Sequence, residues 1–342
     1  MGNRQQIQEI PGALRKTLEK GHAEYGALVR KVRWGDGPLY VCGTGDCAAL
    51  TLAAGYALEF YLGLPVVARP VEVFQNYGLA FLHPRSVMVM ISAQGEWPEA
   101  HQLAQTALER GCTLVALTNT PASPLVSLAE HVFLTPVAGA ATSPAVSATL
   151  HAALDFLALE AARALKRPKP HWDLVAREFD QLPDQIEWMF TQLSPIVHAG
   201  AEEMVRPPRL RIVGGGFFHY PAWHAAWRMR SLSPPQVGAA EASEFLSAHA
   251  HFARRDDAVL FVSSSSAKIK KLIHRGAAQA RISGARVLSL TDSNDRDLVE
   301  RSDLAILIPA LQEAPAGTLA MFMLEWLAGE ALRAAPPPPA SS

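Results

Sequence analysis

Leu39-Tyr40-Val41-Cys42-Gly43-Thr44-Gly45 returns 171 positions later as Leu210-Arg211-Ile212-Val213-Gly214-Gly215-Gly216. The same offset relates Met90-Ile91-Ser92 to Phe261-Val262-Ser263, and an offset of 173 relates Gly111–Thr118 to Gly284–Thr291 and Pro136 to Pro309. Short apolar runs that recur in one order at nearly constant spacing mean a duplicated domain. Each run is rich in Val, Ile and Leu without polar alternation, the pattern of a strand buried on both faces of a parallel sheet. Helical stripes lie between the runs. After Trp97-Pro98, the residues Ala100, Leu103, Ala104, Ala107 and Leu108 share one face and Gly111 ends it; the counterpart is Ile269, Leu272, Ile273 and Ala280, closed by Gly284. Strands alternating with helices predict an α/β protein of two tandem, doubly wound parallel-sheet domains.

The runs set the boundaries of the remaining segments. Residues 1–32 read as an N-terminal helical segment, 33–166 as the first domain, 167–208 as a helical linker broken at Pro183, and 209–333 as the second domain. The Pro-rich tail 334–342 has nothing to bury and is expected to be disordered. A chain of 342 residues that is 49% hydrophobic and 18% charged can fill two cores of this kind. Lys+Arg 31 against Asp+Glu 32 leaves a net charge of -1 with no basic stripe, so nucleic acid is not an expected partner.

Arg4, Glu9, Arg15, Lys16, Glu19 and Lys20 interrupt the start of the chain, which argues against a secretory signal. Gln6 stands where acylation after Met1-Gly2 would need Ser or Thr. The apolar segment Pro144–Leu165 holds His151, Asp155, Glu160 and Arg163, so it reads as a buried helix rather than a membrane span. Cys42, Cys47 and Cys112 form no C-x-x-C pair, which indicates neither a zinc site nor a disulfide framework and fits a reducing cytoplasm. No metal or cofactor is implied.

In open α/β sheets ligands sit at the carboxyl ends of the strands, beside loop amides and helix N-termini. Gly43-Thr44-Gly45-Asp46 is small enough to let the backbone approach an anion, or is only a tight strand-to-helix turn. Ser92-Ala93-Gln94-Gly95-Glu96 and its counterpart Ser263-Ser264-Ser265-Ser266, which precedes a helix expected near Ala267, are either anion cradles aided by Lys268 or helix caps. Ser143, with Pro144 after it, reads first as an N-cap and second as a ligand contact. Glu241-Ala242-Ser243-Glu244, followed by His249 and His251, either supplies a general base and acid or is a solvated turn.

These residues resemble the double sugar-isomerase (SIS) domain family, which includes the isomerase half of glucosamine-6-phosphate synthase and the fructosamine-phosphate deglycases. The resemblance covers nearly the whole chain. It rests on Gln8-Glu9-Ile10-Pro11, Cys42-Gly43-Thr44, Ile91–Glu96, Ala116-Leu117-Thr118-Asn119, Gly214-Gly215-Gly216, Tyr220-Pro221 and Glu241–Phe245. It implies flavodoxin-like domains, a sugar phosphate as ligand and a homodimer in which the Glu241–His251 loop completes a neighbour's site.

Several departures bear on function. The family's phosphate loop, Ser-x-Ser-Gly-x-Thr, keeps Ser92 and Gly95, but Gln94 and Trp97 replace the second Ser and the Thr, and Gly45 replaces the Ser after Thr44. Ser263 and Ser265 hold the two serine positions in the second copy, so anion binding is expected to have shifted there. The proton-transferring Glu falls on Ser231 and the ring-opening His on Ser247, while Glu244 remains. Synthase-like isomerisation is therefore expected to be very slow, since each lost acid or base costs about 10²- to 10⁴-fold. Two readings follow: an aldose–ketose isomerase or deglycase using Glu244 with His249 or His251, or a non-catalytic sugar-phosphate binder.

Overall fold

The computed structural model describes residues 3–45, 47–137, 139, 143–166, 171–232, 235–250 and 253–335, without the side chains of residues 3 and 249. Asp46, Thr142, His251 and the tail from residue 336 onward lie outside the described residues. The chain divides into two compact units, one of residues 8–183 and one of residues 184 onward together with the first seven.

In the first unit the apolar runs form β1 (Leu39–Gly43), β2 (Val66–Pro70), β3 (Val87–Ile91), β4 (Thr113–Thr118) and β5 (His131–Leu134), all parallel, in the order β2-β1-β3-β4-β5. Every residue of β1 and β3 is buried, as the unbroken apolar runs require. Tyr40, Cys42, Met88, Met90, Leu114 and Ala116 face one core with Ala100, Leu103 and Ala104 of the helix Pro98–Glu109. The helix Cys47–Leu62 packs with Pro144–Ala164. Right-handed crossovers from β1 to β2 and from β3 to β4 run in opposite directions across the sheet, so their helices cover opposite faces.

The second unit repeats the pattern: β6 (Arg209–Gly214), β7 (Gln236–Glu241), β8 (Ala258–Val262), β9 (Arg286–Asp292) and β10 (Leu304–Ile308) lie in the order β10-β9-β8-β6-β7, again all parallel. Adding five to each strand number of the first sheet reproduces this order, so the duplication holds at the level of topology.

Pro144–Ala164 is the one helix among the described residues long and apolar enough to cross a membrane, and 94% of its most apolar window is buried inside the protein. His151 and Asp155 stand one turn apart in it, both fully buried. The expected break at Pro183 is corrected. A single helix runs Trp172–Gln192 through Pro183 and stops before Leu193, ahead of Ser194-Pro195. Proline removes one intrahelical bond, but Phe179, Leu182, Ile186 and Met189 form a fully buried stripe across it, and that burial outweighs the loss.

One polar cluster interrupts the second core. Glu325, 1% exposed in the helix Glu313–Ala334, places Oε1 2.8 Å from Nδ1 of His224 and Oε2 3.3 Å from Nε of Arg228. Both partners belong to the helix His219–Arg228. Removing one member of a buried ionic set leaves the others unpaired in apolar surroundings. Glu325→Ala is therefore expected to lower the unfolding free energy by about 3–5 kcal/mol in urea denaturation. Replacing all three with Leu, Phe and Met should recover most of that loss.

Candidate functional site

The carboxyl ends of β1 and β3 are hydrogen-bonded neighbours, Gly43 opposite Ile91, so the loops after them emerge side by side. With their helices on opposite faces, this is a topological switch point. A Cβ on Gly43 would collide with the Cys47 carbonyl oxygen and the Thr51 hydroxyl. The turn it permits is tight: Cys47 N–H donates to Thr44 O at 2.9 Å and Ala48 N–H to Gly45 O at 3.0 Å, with Gly45 at φ +52°. Thr44 is buried beneath the turn.

In the second loop, Gly95 N–H donates to Ser92 Oγ at 3.1 Å. Gly95 has φ +65°, and a Cβ there would overlap the Ser123 hydroxyl. Its carbonyl accepts from Leu125 N–H at 3.2 Å and lies 2.7 Å from His101 Nε2. The Ala93 carbonyl accepts from the Thr118 hydroxyl (2.8 Å), Asn119 N–H (3.1 Å) and the Thr120 hydroxyl (3.2 Å). Ser92, Ala93 and Gly95 therefore set the shape of the loop, and exposed Gln94 stands at its apex. Ser143 occupies the N-cap position of Pro144–Ala164, but its side chain makes no capping bond, so capping does not explain its hydroxyl. Trp97 stands at the start of its helix, 48% exposed.

The second unit turns differently at the equivalent place. Ser263 N–H bonds Leu290 O at 3.1 Å as Ser92 N–H bonds Leu117 O, but the helix starts at Lys270, three residues later than expected. The amides that an anion would need are taken internally. Ser265 N–H donates to Asp292 Oδ2 at 2.7 Å and Lys268 N–H to Glu313 Oε1 at 3.2 Å. Ser264 and Ser266 bond each other at 2.8 Å, Ser266 donates to Leu311 O at 2.7 Å, and Lys270 Nζ donates to Ser265 O. Ser263 Oγ is buried without a hydrogen-bond partner. The expected shift of anion binding to Ser263–Lys268 thus meets two resident carboxylates, because Asp292 and Glu313 fold in from distant parts of the chain.

Around Gly215 and Gly216, after β6, the second unit gathers titratable groups. Glu241 Oε1 lies 2.7 Å, and Glu313 Oε1 3.5 Å, from where a Cβ would stand on Gly215 and Gly216 respectively. Burial pushes the Glu313 carboxyl up, with Lys268 opposing through its N–H and its charge. His219, first residue of its helix, is held below the usual imidazole range by burial, against the raising charges of Glu241 and Glu244. Glu241 and Glu244 form a capping box: Glu241 Oε2 accepts from Ser243 N–H at 2.7 Å, and Glu244 Oε2 accepts from Glu241 N–H at 3.3 Å. Ser247 donates to Glu244 O at 3.2 Å.

The charge of Glu244 therefore bears on His219, a residue the sequence reading passed over. The backbone of His249 ends the turn Phe245–His249, but its side chain and His251 lie outside the described residues. A sequence signal for His219 existed: it immediately precedes Tyr220-Pro221 and follows the strand-end glycines. Among the described residues no group of three or more His, Cys, Asp or Glu side chains could hold a metal.

A family model described as "SIS domain" matches residues 36–161 and again residues 204–330. The glutamine–fructose-6-phosphate aminotransferase (isomerizing) of Gloeobacter violaceus is 23% identical over 336 residues, covering 94% of this chain and 54% of that protein. The chain spans about half the length of the curated relatives it matches. Among solved structures, the C-terminal domain of glucosamine-fructose-6-phosphate aminotransferase from Francisella tularensis gives a TM-score of 0.85 at 15% identity, over 97% of this chain and 95% of that one. Tagatose-6-phosphate ketose/aldose isomerase from Escherichia coli gives 0.75 at 15% identity, over 97% and 92%. With the family model matched once in each half and over most of its length, the chain belongs to the SIS domain family.

Proposed function

We propose that the chain is a cytoplasmic sugar-phosphate enzyme of the aldose–ketose isomerase or deglycase type, acting as a homodimer. The observation that carries this reading is the placement of Glu241 and Glu244 at the carboxyl edge of β6 and β7, with Glu241 paired to Gly214 and its Oε1 against Gly215, a few residues before His219. Enolisation needs a carboxylate to take a proton from the carbon beside a carbonyl and return it to the neighbouring carbon. Glu244 is assigned that role. Ring opening needs an acid and base near neutral pH, and His219, neutral there because burial dominates, can accept a proton from the sugar hydroxyl. The phosphate is assigned to the first-unit loops Gly43-Thr44-Gly45 and Ser92–Gly95, with the side chain of Gln94 and Ser143 as donors, and the reacting groups to the Glu241–His251 loop of a neighbouring subunit. Names among the relatives, an isomerizing aminotransferase and a ketose/aldose isomerase, support the substrate class.

A second reading, a binder without catalysis, is favoured by one observation: the carboxylates of Glu241 and Glu244 complete a capping box, so both have a structural use. Glu244→Gln separates the two, because Gln at this helical position still caps while losing the base. The enzyme reading expects a turnover loss of about 10²- to 10⁴-fold with sugar-phosphate affinity retained; an unchanged rate removes Glu244 from the mechanism.

The sign of the pH dependence follows from His219. Its ordinary value is 6.5 and burial lowers it, so the midpoint of protonation, and of the loss of the base, falls below 6.5. Turnover should hold through neutral pH and fall as acidification passes the lowered value, and His219→Gln should remove that acid limb. The same shift makes the folded state bind fewer protons than the unfolded state in that interval, so stability rises with pH across it.

Gly95→Ala places a methyl group against the Ser123 hydroxyl at a positive φ. Strain of this kind costs on the order of 1–3 kcal/mol. The variant should melt lower and bind sugar phosphate more weakly in calorimetry. Light scattering at micromolar concentration checks the dimer, and a monomer there rejects the cross-subunit completion of the site.

A further inference from the structure

The sheet of the second unit carries an arginine where its own pattern calls for an apolar residue. Arg211 is two positions before Val213 on β6, so both side chains point to the same face. At Val213 that face is closed core, packed with Ala240, Val259, Phe261 and Phe245. One rung earlier the cross-strand partners of Arg211 are Gly238 on β7 and Val259 on β8. The guanidinium lies over Gly238, with Nη1 2.6 Å from the place a Cβ would take. Among the described residues nothing forms a hydrogen bond or ion pair with it.

Beside this cation is a cavity of about 100 Å³. Arg209, Arg211 and Asp257 supply its polar wall, and Phe245 and Val259 part of its apolar wall. Asp257 does not neutralise Arg211. Its carboxylate accepts from Arg209 Nε at 2.9 Å and Nη2 at 2.7 Å, and from Arg254 N–H at 2.8 Å. Side-chain charges in the wall therefore sum to one uncompensated positive charge, half-buried on a sheet face. A cation withdrawn from water is stabilised by an anion that matches its geometry, and a guanidinium matches planar or tetrahedral oxyanions with two parallel donors.

We propose that this pocket is a binding site for a small oxyanion, a carboxylate or a phosphate, free or as the head of a longer molecule. The head meets Arg211 and the adjoining carbon rests on Phe245 and Val259. The pocket lies toward the amino end of β6 and β8, away from Gly214 and Val262, so it is separate from the candidate site. The proposal does not depend on whether the protein catalyses anything.

Isothermal titration of the full chain with inorganic phosphate, and separately with sodium acetate, tests it. Wild type should bind at least one of them saturably. Arg211→Met, which keeps an unbranched apolar stem and removes the charged fork, should weaken that component by about 10- to 100-fold, the equivalent of one charged hydrogen-bonded contact. Superimposable curves for wild type and Arg211→Met, or no saturable heat with either anion, overturn the proposal. If Arg211→Met does not fold by circular dichroism, Arg211→Lys is read instead: it keeps the charge and loses the fork, so weaker binding supports the site and equal binding rejects it.

Discussion

At Gly43 and Gly214 a methyl group would stand against a carbonyl oxygen four residues further along, that of Cys47 in one copy and Phe218 in the other. Both positions end the strand next to the edge of a five-stranded parallel sheet, where the chain must turn at once to lay a helix back on the sheet. A side chain there would push the turn outward and carry the helix start away from its neighbouring loop. The crevice between β1 and β3, and its counterpart between β6 and β8, follows from that close approach: the strand order places the loops side by side, and right-handed crossovers take their helices to opposite faces.

From this shared frame the two copies diverge by what fills the turn. In the first, Ser92 holds Gly95 through a hydroxyl, and the neutral Gln94 faces solvent. In the second, Asp292 and Glu313 bond the amides of Ser265 and Lys268. A carboxylate seated on loop amides does what an external phosphate would do there, and its charge repels a second anion. The same substitution surrounds Gly215 and Gly216 with Glu241 and Glu313. A single topology thus carries two different sets of polar groups at the equivalent place in the two copies.

The sheets were legible in the sequence because a strand buried on both faces needs an unbroken apolar run, and such runs repeat visibly at 171 and 173 residues. Local signals failed where distant residues decide. The fate of Ser265 and Lys268 rests on partners 27 and 45 positions away, which no local pattern announces. Pro183 reads as a break, yet the buried stripe from Phe179 to Met189 keeps the helix whole. Ser143 takes the N-cap position without capping, a distinction of rotamer that sequence does not carry. His219 escaped notice because the family pattern directs attention to the positions of Ser231 and Ser247, while the fold supplies an imidazole from the first residue of a different helical turn.

Two carboxylates near one imidazole raise the question of which reacts, and their bonds divide the work. Glu241 accepts both the N–H and the hydroxyl of Ser243, so its Oε2 is fixed against the start of the helix. Glu244 reaches back to the Glu241 N–H over 3.3 Å, a longer and weaker contact from an exposed side chain. Moving Glu241 would dismantle the turn that carries Glu244. Under the proposed isomerase reading, Glu241 would be the positioning residue and Glu244 the proton carrier. His219 is withdrawn from water but under the raising charges of both carboxylates, which would stabilise its protonation in the proposed ring opening.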